Sequence, residues 1–540
     1  MTQLTEKVKQ IAINTHIAEL QEELYQRGVD ARGYEEYFPW VKRYWTSRGE
    51  SLDFEDHKFL HGIYKDQHDH IIWMKSAQAG ITERALTEAV WLADQFPENA
   101  LYVFPTSSSI SDLVQERVDD PLNNNDYLQK VSGRSKKLLG KQADKVGLKR
   151  MSEGFIYFRG SNKPTQITSV PADIIFVDEV DRMPPDSVPY IPKRLGHSHR
   201  KWQRWLSTPT LPNFGIHKMF IETDQCHYNV KCNHCNEWID LDFFTHVKYE
   251  MKNDVECKEA WIECHKCHKR IVPHLLEGEW VPLYPDRDKR GYFIHKLYTP
   301  RVDLKELVQE SLKTAEWEVQ QFYNQDLGLP YSPKGGSISD EDIQACIRGY
   351  RTGVQKGQTH YMGVDVGVYL HVTIQTEDRM ALIVKVKDFT ELDQLMKDYN
   401  VRFCVVDALP ETRKAQEFAA RFRGRVFLCY YSKLNEPKKD EWFQHNASEA
   451  KVNTRRTLSL DNWSDRIRKQ KVFMPENVND FVEFKENMAA LTRIVREDNK
   501  GNMIAEYVKT GPDHFYHAGN YSNIARAIAD KTVVPEIFSV

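Results

Sequence analysis

The run Trp73-Met74-Lys75-Ser76-Ala77-Gln78-Ala79-Gly80-Ile81-Thr82 constrains this chain more tightly than any other segment. The apolar residues Ile71 to Met74 before it read as a buried strand, and a helical pattern follows it. A strand that turns sharply into a helix leaves backbone N–H groups unpaired around the turn, which is the shape of a phosphate cradle. The usual cradle reads G-x-x-x-x-G-K-[ST], its lysine on the β/γ oxygens and its hydroxyl on Mg²⁺. Here Gly80 and Thr82 keep register, Ile81 occupies the lysine position, and Lys75 stands first in the loop. A lysine at either end of so tight a turn reaches the same phosphates, so the charge is moved rather than lost. Residues Lys75, Ser76, Ala77, Gln78, Ala79, Gly80, Ile81 and Thr82 are the expected nucleotide cradle, with ATP and Mg²⁺ or Mn²⁺ as its ligands.

Residues 174–179 read Ile-Ile-Phe-Val-Asp-Glu, an apolar strand ending in two acids. Asp178 is placed to hold Mg²⁺, and Glu179 to orient and deprotonate the attacking water. A third strand, Trp202 to Leu206, ends in Ser207-Thr208-Pro209-Thr210, which reads either as an ordinary turn or as a strand-end Ser/Thr that senses the γ-phosphate. Aromatics upstream of the loop, Trp45 and Phe54, are open either to adenine stacking or to core packing.

Six of the nine cysteines fall between 226 and 267. Cys232-x-x-Cys235 and Cys264-x-x-Cys267 have the two-knuckle spacing of a structural zinc ribbon, with disulfides as the competing reading. Cys226, Cys257, His234, His265 and His268 are further possible ligands. Four filled positions leave no open coordination site, so such a Zn²⁺ is structural.

After residue 330 the chain changes character, through a Pro/Gly/Ser stretch that reads as a linker. Beyond it, Asp365 lies in the apolar strand Tyr361 to Gly367, and Asp407 ends the apolar strand Phe403 to Asp407. Asp513 opens a helical segment running to Ala529. Two strand-borne carboxylates and one on a later helix are what a two-metal phosphodiesterase uses to gather Mg²⁺ or Mn²⁺. The order strand, strand, helix favours an RNase H-like nuclease core.

Charge and hydropathy narrow the classes. With 540 residues the chain holds two to four domains. A net charge of −4 excludes a uniformly basic nucleic-acid binder, so DNA contacts must come from patches such as residues 134–150, 200–204 and 466–471. The opening residues show no signal-peptide core, and no apolar run approaches ~18 residues, so no membrane partner is expected. Residues 3–27 read as an amphipathic helix.

Taken in order, these motifs resemble the large terminase subunit of tailed bacteriophages, in the lambda-like branch. The matching pieces are Lys75 to Gly80, Phe176 to Arg182, Ser207 to Thr210, the cysteine pairs, His295 to Pro300 and Phe322 to Gly328. The resemblance implies an α/β chain with a RecA/ASCE-like P-loop ATPase domain, a zinc-ribbon insertion and an RNase H-like nuclease domain. The expected layout is a helical segment 1–40, an ATPase core 41–225, the ribbon 226–275 and the end of the ATPase domain 276–330. A linker 331–354 and a nuclease 355–540 complete it. It implies hydrolysis of ATP to drive double-stranded DNA into a procapsid, and cutting of concatemeric DNA. The implied partners are DNA, a portal protein, a small terminase subunit and further copies in a ring. The implied setting is the host cytoplasm and, transiently, the procapsid portal, outside the mature virion. By position, Lys75, Thr82, Asp178, Glu179 and Thr208 serve the ATPase, and Asp365, Asp407 and Asp513 ligate the nuclease metals.

Two departures stand out. The family's Asp-His-x-x-Asp-Ala motif reads Asp513-His514-Phe515-Tyr516-His517-Ala518, so the third ligand is open between Asp513 and the His517 region. No arginine stands near Thr168 and Val170, which leaves Arg84, Arg159 and Arg194 as candidates for charge stabilisation. The competing functions are a helicase-like or repair ATPase–nuclease, and a non-catalytic zinc-ribbon DNA-binding module.

Overall fold

A computed structural model of the chain describes residues 34–532, apart from 48, 53, 135–143, 163, 254, 334, 433, 435–440 and 498–502. The expected helix 3–27 and most of the basic stretch 134–150 lie outside the described residues. The chain divides into two compact units, Met1–Tyr331 and Ser332–Val540.

The first unit is built on β1 (His70–Lys75), β2 (Asn99–Phe104), β3 (Phe155–Gly160), β4 (Ile174–Asp178), β5 (Trp202–Ser207), β6 (Cys226–Lys231), β7 (Gly278–Pro282) and β8 (Arg290–Ile294). Six of these form a continuous parallel array in the order β8-β1-β5-β4-β2-β3. Parallel strands need both faces covered, because their crossovers lay helices on each side. The sequence meets that demand by alternation. Ile71 and Trp73 of β1 enter one hydrophobic core, and Ile72 and Met74 enter a second on the other face. Strand β5 separates the loop-bearing β1 from the acidic β4, which is the ASCE arrangement of P-loop ATPases. Helix α1 (Ile81–Gln95) follows the loop.

Strand β6 starts beside β8 through the pair Cys226↔Tyr292 and runs antiparallel to β7. Cys226, expected as the first residue of the ribbon, therefore belongs to the main sheet. Between β6 and β7 lies a small sheet of Val247–Met251, Cys257–Glu263 and Arg270–Ile271, so the expected ribbon takes Cys232 and Cys235 from just after β6 and Cys264 and Cys267 from this sheet's last turn. After β8 come the helices Leu304–Ser311 and Glu316–Gln321, then a π-helical turn Phe322–Asp326.

The second unit holds β9 (His360–Val366), β10 (Leu370–Gln375), β11 (Met380–Val386), β12 (Val401–Asp407), β13 (Val426–Tyr431), β14 (Phe443–Asn446) and β15 (Lys451–Thr454), in the order β11-β10-β9-β12-β13-β15-β14. Strands β9 to β11 form an antiparallel meander, and β12, β13 and β15 run parallel to β9. That is an RNase H-like sheet. Helices α2 (Arg456–Arg468) and α3 (His514–Thr532) follow it. Residues 331–354, expected as linker, instead carry helix Asp340–Ala345 and a strand Ile347–Arg348 paired with Met474–Pro475. Ile338, Ile343 and Cys346 are buried in this unit's core, which is why the stretch is structured despite its Pro and Gly content.

Candidate active sites

The loop after β1 turns through Gln78 and Gly80, with φ of 61° and 79°, and delivers the chain into α1. The first-turn amides of α1 have no intrahelical acceptors and face the loop's mouth, as an anion site requires. Two expected cradle residues are engaged elsewhere. The Ser76 and Ala77 amides donate to the Ile294 and Gln325 carbonyls at 2.7 and 2.8 Å, fixing the start of the loop to β8 and the π-turn. Of the expected cradle, the amides from Gln78 onward are the ones left for an anion.

Around this mouth the expected polar groups converge. Thr82 Oγ1 donates to Asp178 Oδ2 at 3.0 Å, and the Tyr102 hydroxyl donates to the same oxygen at 3.0 Å. Asp178 Oδ1 is buried and has no hydrogen-bond partner among the described residues, so a hydroxyl and a bare carboxylate oxygen are presented together. This donor set fits Mg²⁺, which takes oxygen ligands. Burial pushes the Asp178 carboxyl up to about 6, with Lys75 opposing and Glu179 reinforcing the shift. Glu179 follows in the left-handed region, φ 59°, which turns its side chain off the strand axis. Its Oε1 lies 3.4 Å from Lys75 Nζ, so the two residues are paired across β5. Thr208, buried at the end of β5, lies beside this pair because Ser207 is in register with Met74, and Leu206 with Asp178. Below it Asp181 accepts from the Thr210 amide and hydroxyl and from the Ile216 amide, at 2.9, 2.8 and 2.7 Å.

The four ribbon sulfurs gather at one point. Cys232, Cys235, Cys264 and Cys267 place their Sγ atoms within 4.8 Å of one another, with Cys232–Cys267 at 3.8 Å and Cys235–Cys264 at 3.7 Å. A tetrahedron with Zn–S bonds near 2.3 Å has edges of about 3.8 Å. All four are free thiols, so the disulfide reading is not seen. Cys226, Cys257, His234, His265 and His268 lie outside this group.

In the second unit, the fold explains the acid placement. Met362, Val364 and Val366 face one core, so Gly363 and Asp365 face the other side, where α3 crosses. The approach is close: a Cβ on Gly363 would lie 2.1 Å from the Ala518 carbonyl oxygen and 2.1 Å from the Ser522 nitrogen. The first residue of α3, His514, then meets Asp365, Nδ1 to Oδ2 2.9 Å. Burial, reinforced by Asp365, pushes the Asp407 carboxyl up to about 6. Asp513 lies 2.6 Å from Lys509 Nζ and 3.3 Å from His517 Nε2. Burial alone would raise its carboxyl, but His517 and Lys509 overcome that and hold it well below the usual range. His517 in turn shares a 2.7 Å hydrogen bond with the Tyr431 hydroxyl. The residue that replaces the family's second acid is thus a tether between Asp513 and β13. Sequence reasoning missed His371, which is directly opposite Asp365 in the β9–β10 register and stacks on His514 with centroids 4.5 Å apart. The histidines lie 143 residues apart in sequence, so no spacing motif could have signalled the pair.

A family model described as the ATPase domain of the phage terminase large subunit gpA matches residues 59–280. Among solved structures, the chain is similar to the large terminase of the thermophilic bacteriophage D6E, at 14% identity over 88% of this chain and 98% of that one, TM-score 0.31. The same terminase in complex with ADP also gives 14% identity and TM-score 0.31. The nuclease of the large terminase from thermophilic phage G20c is 13% identical over 35% of this chain and 98% of that one, TM-score 0.25. No curated protein matches the chain.

Within the first unit, the arginine candidates separate. Arg84 is fully buried, donates to the Ile63 and Asp66 carbonyls at 3.2 and 3.1 Å, and pairs with Glu88 at 2.9 Å. Arg204 clasps the same Glu88 at 2.8 and 3.0 Å, so this triad joins α1 to β5 and Arg84 is unable to reach a nucleotide. Arg159 is committed to the Gly147 and Phe158 carbonyls, and Arg194 donates to the Thr168 carbonyl. Trp45 and Phe54 are core residues, the Trp45 indole donating to Glu83 at 2.6 Å.

Proposed function

We propose that this chain is the ATP-driven motor and the endonuclease of a DNA-packaging machine. The observation that carries the motor reading is the convergence of Thr82 on Asp178 beside the Lys75–Glu179 pair, across three adjacent parallel strands. Lys75 leaves Glu179 for the incoming triphosphate, and the released carboxylate accepts the proton of the attacking water. Thr82 and Asp178 hold the Mg²⁺ that offsets the phosphate charge. Thr208, at the end of the intervening strand, registers loss of the γ-phosphate.

In the second unit, Asp365, Asp407 and Asp513 form the cutting centre, with His517 and Lys509 orienting Asp513. The pull of Lys509 and His517 keeps Asp513 ionised and ready to ligate. The Sγ separations of the four-cysteine ribbon fit structural Zn²⁺. Double-stranded DNA, a portal, a small recognition subunit and other copies of the chain in a ring are the partners, with action at the procapsid portal. Among the described residues no helix is long and apolar enough to cross a membrane. The repair-type alternative is not favoured, because the matched family is a packaging one. The test pairs two variants: Glu179→Ala removes DNA-stimulated ATP hydrolysis while leaving metal-dependent nicking, and Asp365→Ala does the reverse. Parallel loss of both activities in correctly folded variants would refute two separate centres.

A further inference from the structure

Asp365, His371 and His514 each offer a ligand atom within 4.8 Å of the others. The group is built by the fold. Asp365 and His371 are directly paired across β9 and β10, and α3 brings His514 down onto them. Asp365 and His371 are 7% and 3% exposed.

His371 carries a second, independent sign. Its Nε2 lies 3.2 Å from Glu483 Oε1, and Lys385 holds that carboxylate at 2.9 Å. A carboxylate accepts, so Nε2 bears the proton and Nδ1 carries the lone pair. That Nδ1 is buried and has no hydrogen-bond partner among the described residues. Leaving a buried acceptor unpaired costs about 1–3 kcal/mol. A carboxylate behind one imidazole nitrogen and a bare lone pair on the other is the arrangement that supports metal-ligating histidines.

We propose that Asp365, His371 and His514 form a mixed oxygen–nitrogen metal site selective for Mn²⁺, Co²⁺ or Zn²⁺ over Mg²⁺. Mg²⁺ is a hard cation that favours oxygen and keeps its water, whereas imidazole suits the transition metals. The inference deepens the nuclease reading and rests on it for its purpose, though not for its chemistry. The two rings lie 10° from parallel, so both lone pairs cannot meet one ion as they stand. His514, with 37% of its side chain exposed against 4% for His371, is the ring that turns.

The test is Mn²⁺ binding to the full-length protein without nucleotide, read by calorimetry and by pulsed electron paramagnetic resonance for ¹⁴N coupling. The expected result is a bound ion with imidazole coupling and Mg²⁺ competing at least about tenfold more weakly. His371→Ala removes the His371 coupling. Glu483→Gln, at a half-exposed position that leaves the core intact, weakens Mn²⁺ about ten- to hundredfold with an unchanged melting temperature. Mn²⁺ bound with oxygen ligands only, or with an affinity indifferent to both substitutions, would overturn the site. Plasmid nicking, measured separately, distinguishes the two readings. A nitrogen-coordinated ion without cutting contradicts the nuclease and leaves the site standing; cutting by a protein whose ion has no nitrogen ligand does the opposite.

Discussion

Asp178 shows how burial sets chemistry at a single carboxyl. Its shift from 3.8 up to about 6 is driven by desolvation. Because the folded form binds its proton more tightly, the metal-free chain loses this group's stability as pH rises from 3.8 through about 6. Mg²⁺ needs the ionised form, so Mg·ATP binding weakens as pH falls below 6, by up to about tenfold per unit. Calorimetric titration between pH 5 and 8 checks this, and a flat profile would exclude Asp178 as a ligand. Arg84 gives the opposite lesson. As part of a fully buried triad with Glu88 and Arg204, its replacement by Ala strands a charge and costs about 3–5 kcal/mol of stability. Denaturant unfolding measures this; normal stability with lost turnover would instead make it a catalytic group. Asp178 was legible in sequence because an apolar strand that ends in acids leaves few alternatives. The burial of Arg84 was not, since Glu88 is its only near partner in sequence, and the Ile63 and Asp66 carbonyls and the Arg204 that shares Glu88 lie far from it along the chain.

The element that sequence patterning missed in the first unit is β8. It lies beyond the cysteine pairs, where the sequence pattern predicts only the end of the ATPase domain, yet its Ile294 carbonyl holds the Ser76 amide. The π-turn Phe322–Asp326 is the second support. Gln325 accepts from Ala77, and Asn324 and Tyr331 bond the Thr210 carbonyl, each at 3.0 Å. One short segment thus touches both the cradle and the strand end that carries Thr208. Gly328 makes this possible: its φ is +67°, and a Cβ there would lie 2.8 Å from the Ser76 nitrogen. Gly328→Ala should therefore destabilise the first unit by about 1–3 kcal/mol and weaken ATP binding. Thermal melting with and without nucleotide tests this, and an unaltered nucleotide-induced shift would contradict it. The motif around Gly328 was legible as a pattern, but its role needed the three-dimensional contact.

The chain as a whole is two units with separate cores, each organised around acids at the ends of parallel strands. Both sheets were foreseeable, because apolar strands alternating with helical stretches leave few other folds. The two histidines beside Asp365 were not, because strand register rather than spacing brings them together. Removing metal from the ribbon should lower the melting temperature of the first unit and spare the second, since the cysteines pack into the first unit's core alone. Differential scanning calorimetry with a chelator reports this, and a single unshifted transition would argue against zinc. In the proposed motor, Lys75 supplies the charge missing from position 81. The most direct measurement is steady-state ATP hydrolysis, with DNA present, by Lys75→Ala. The expected result is a loss of at least about a hundredfold in a folded protein; turnover equal to that of the unaltered chain would refute the relocated charge.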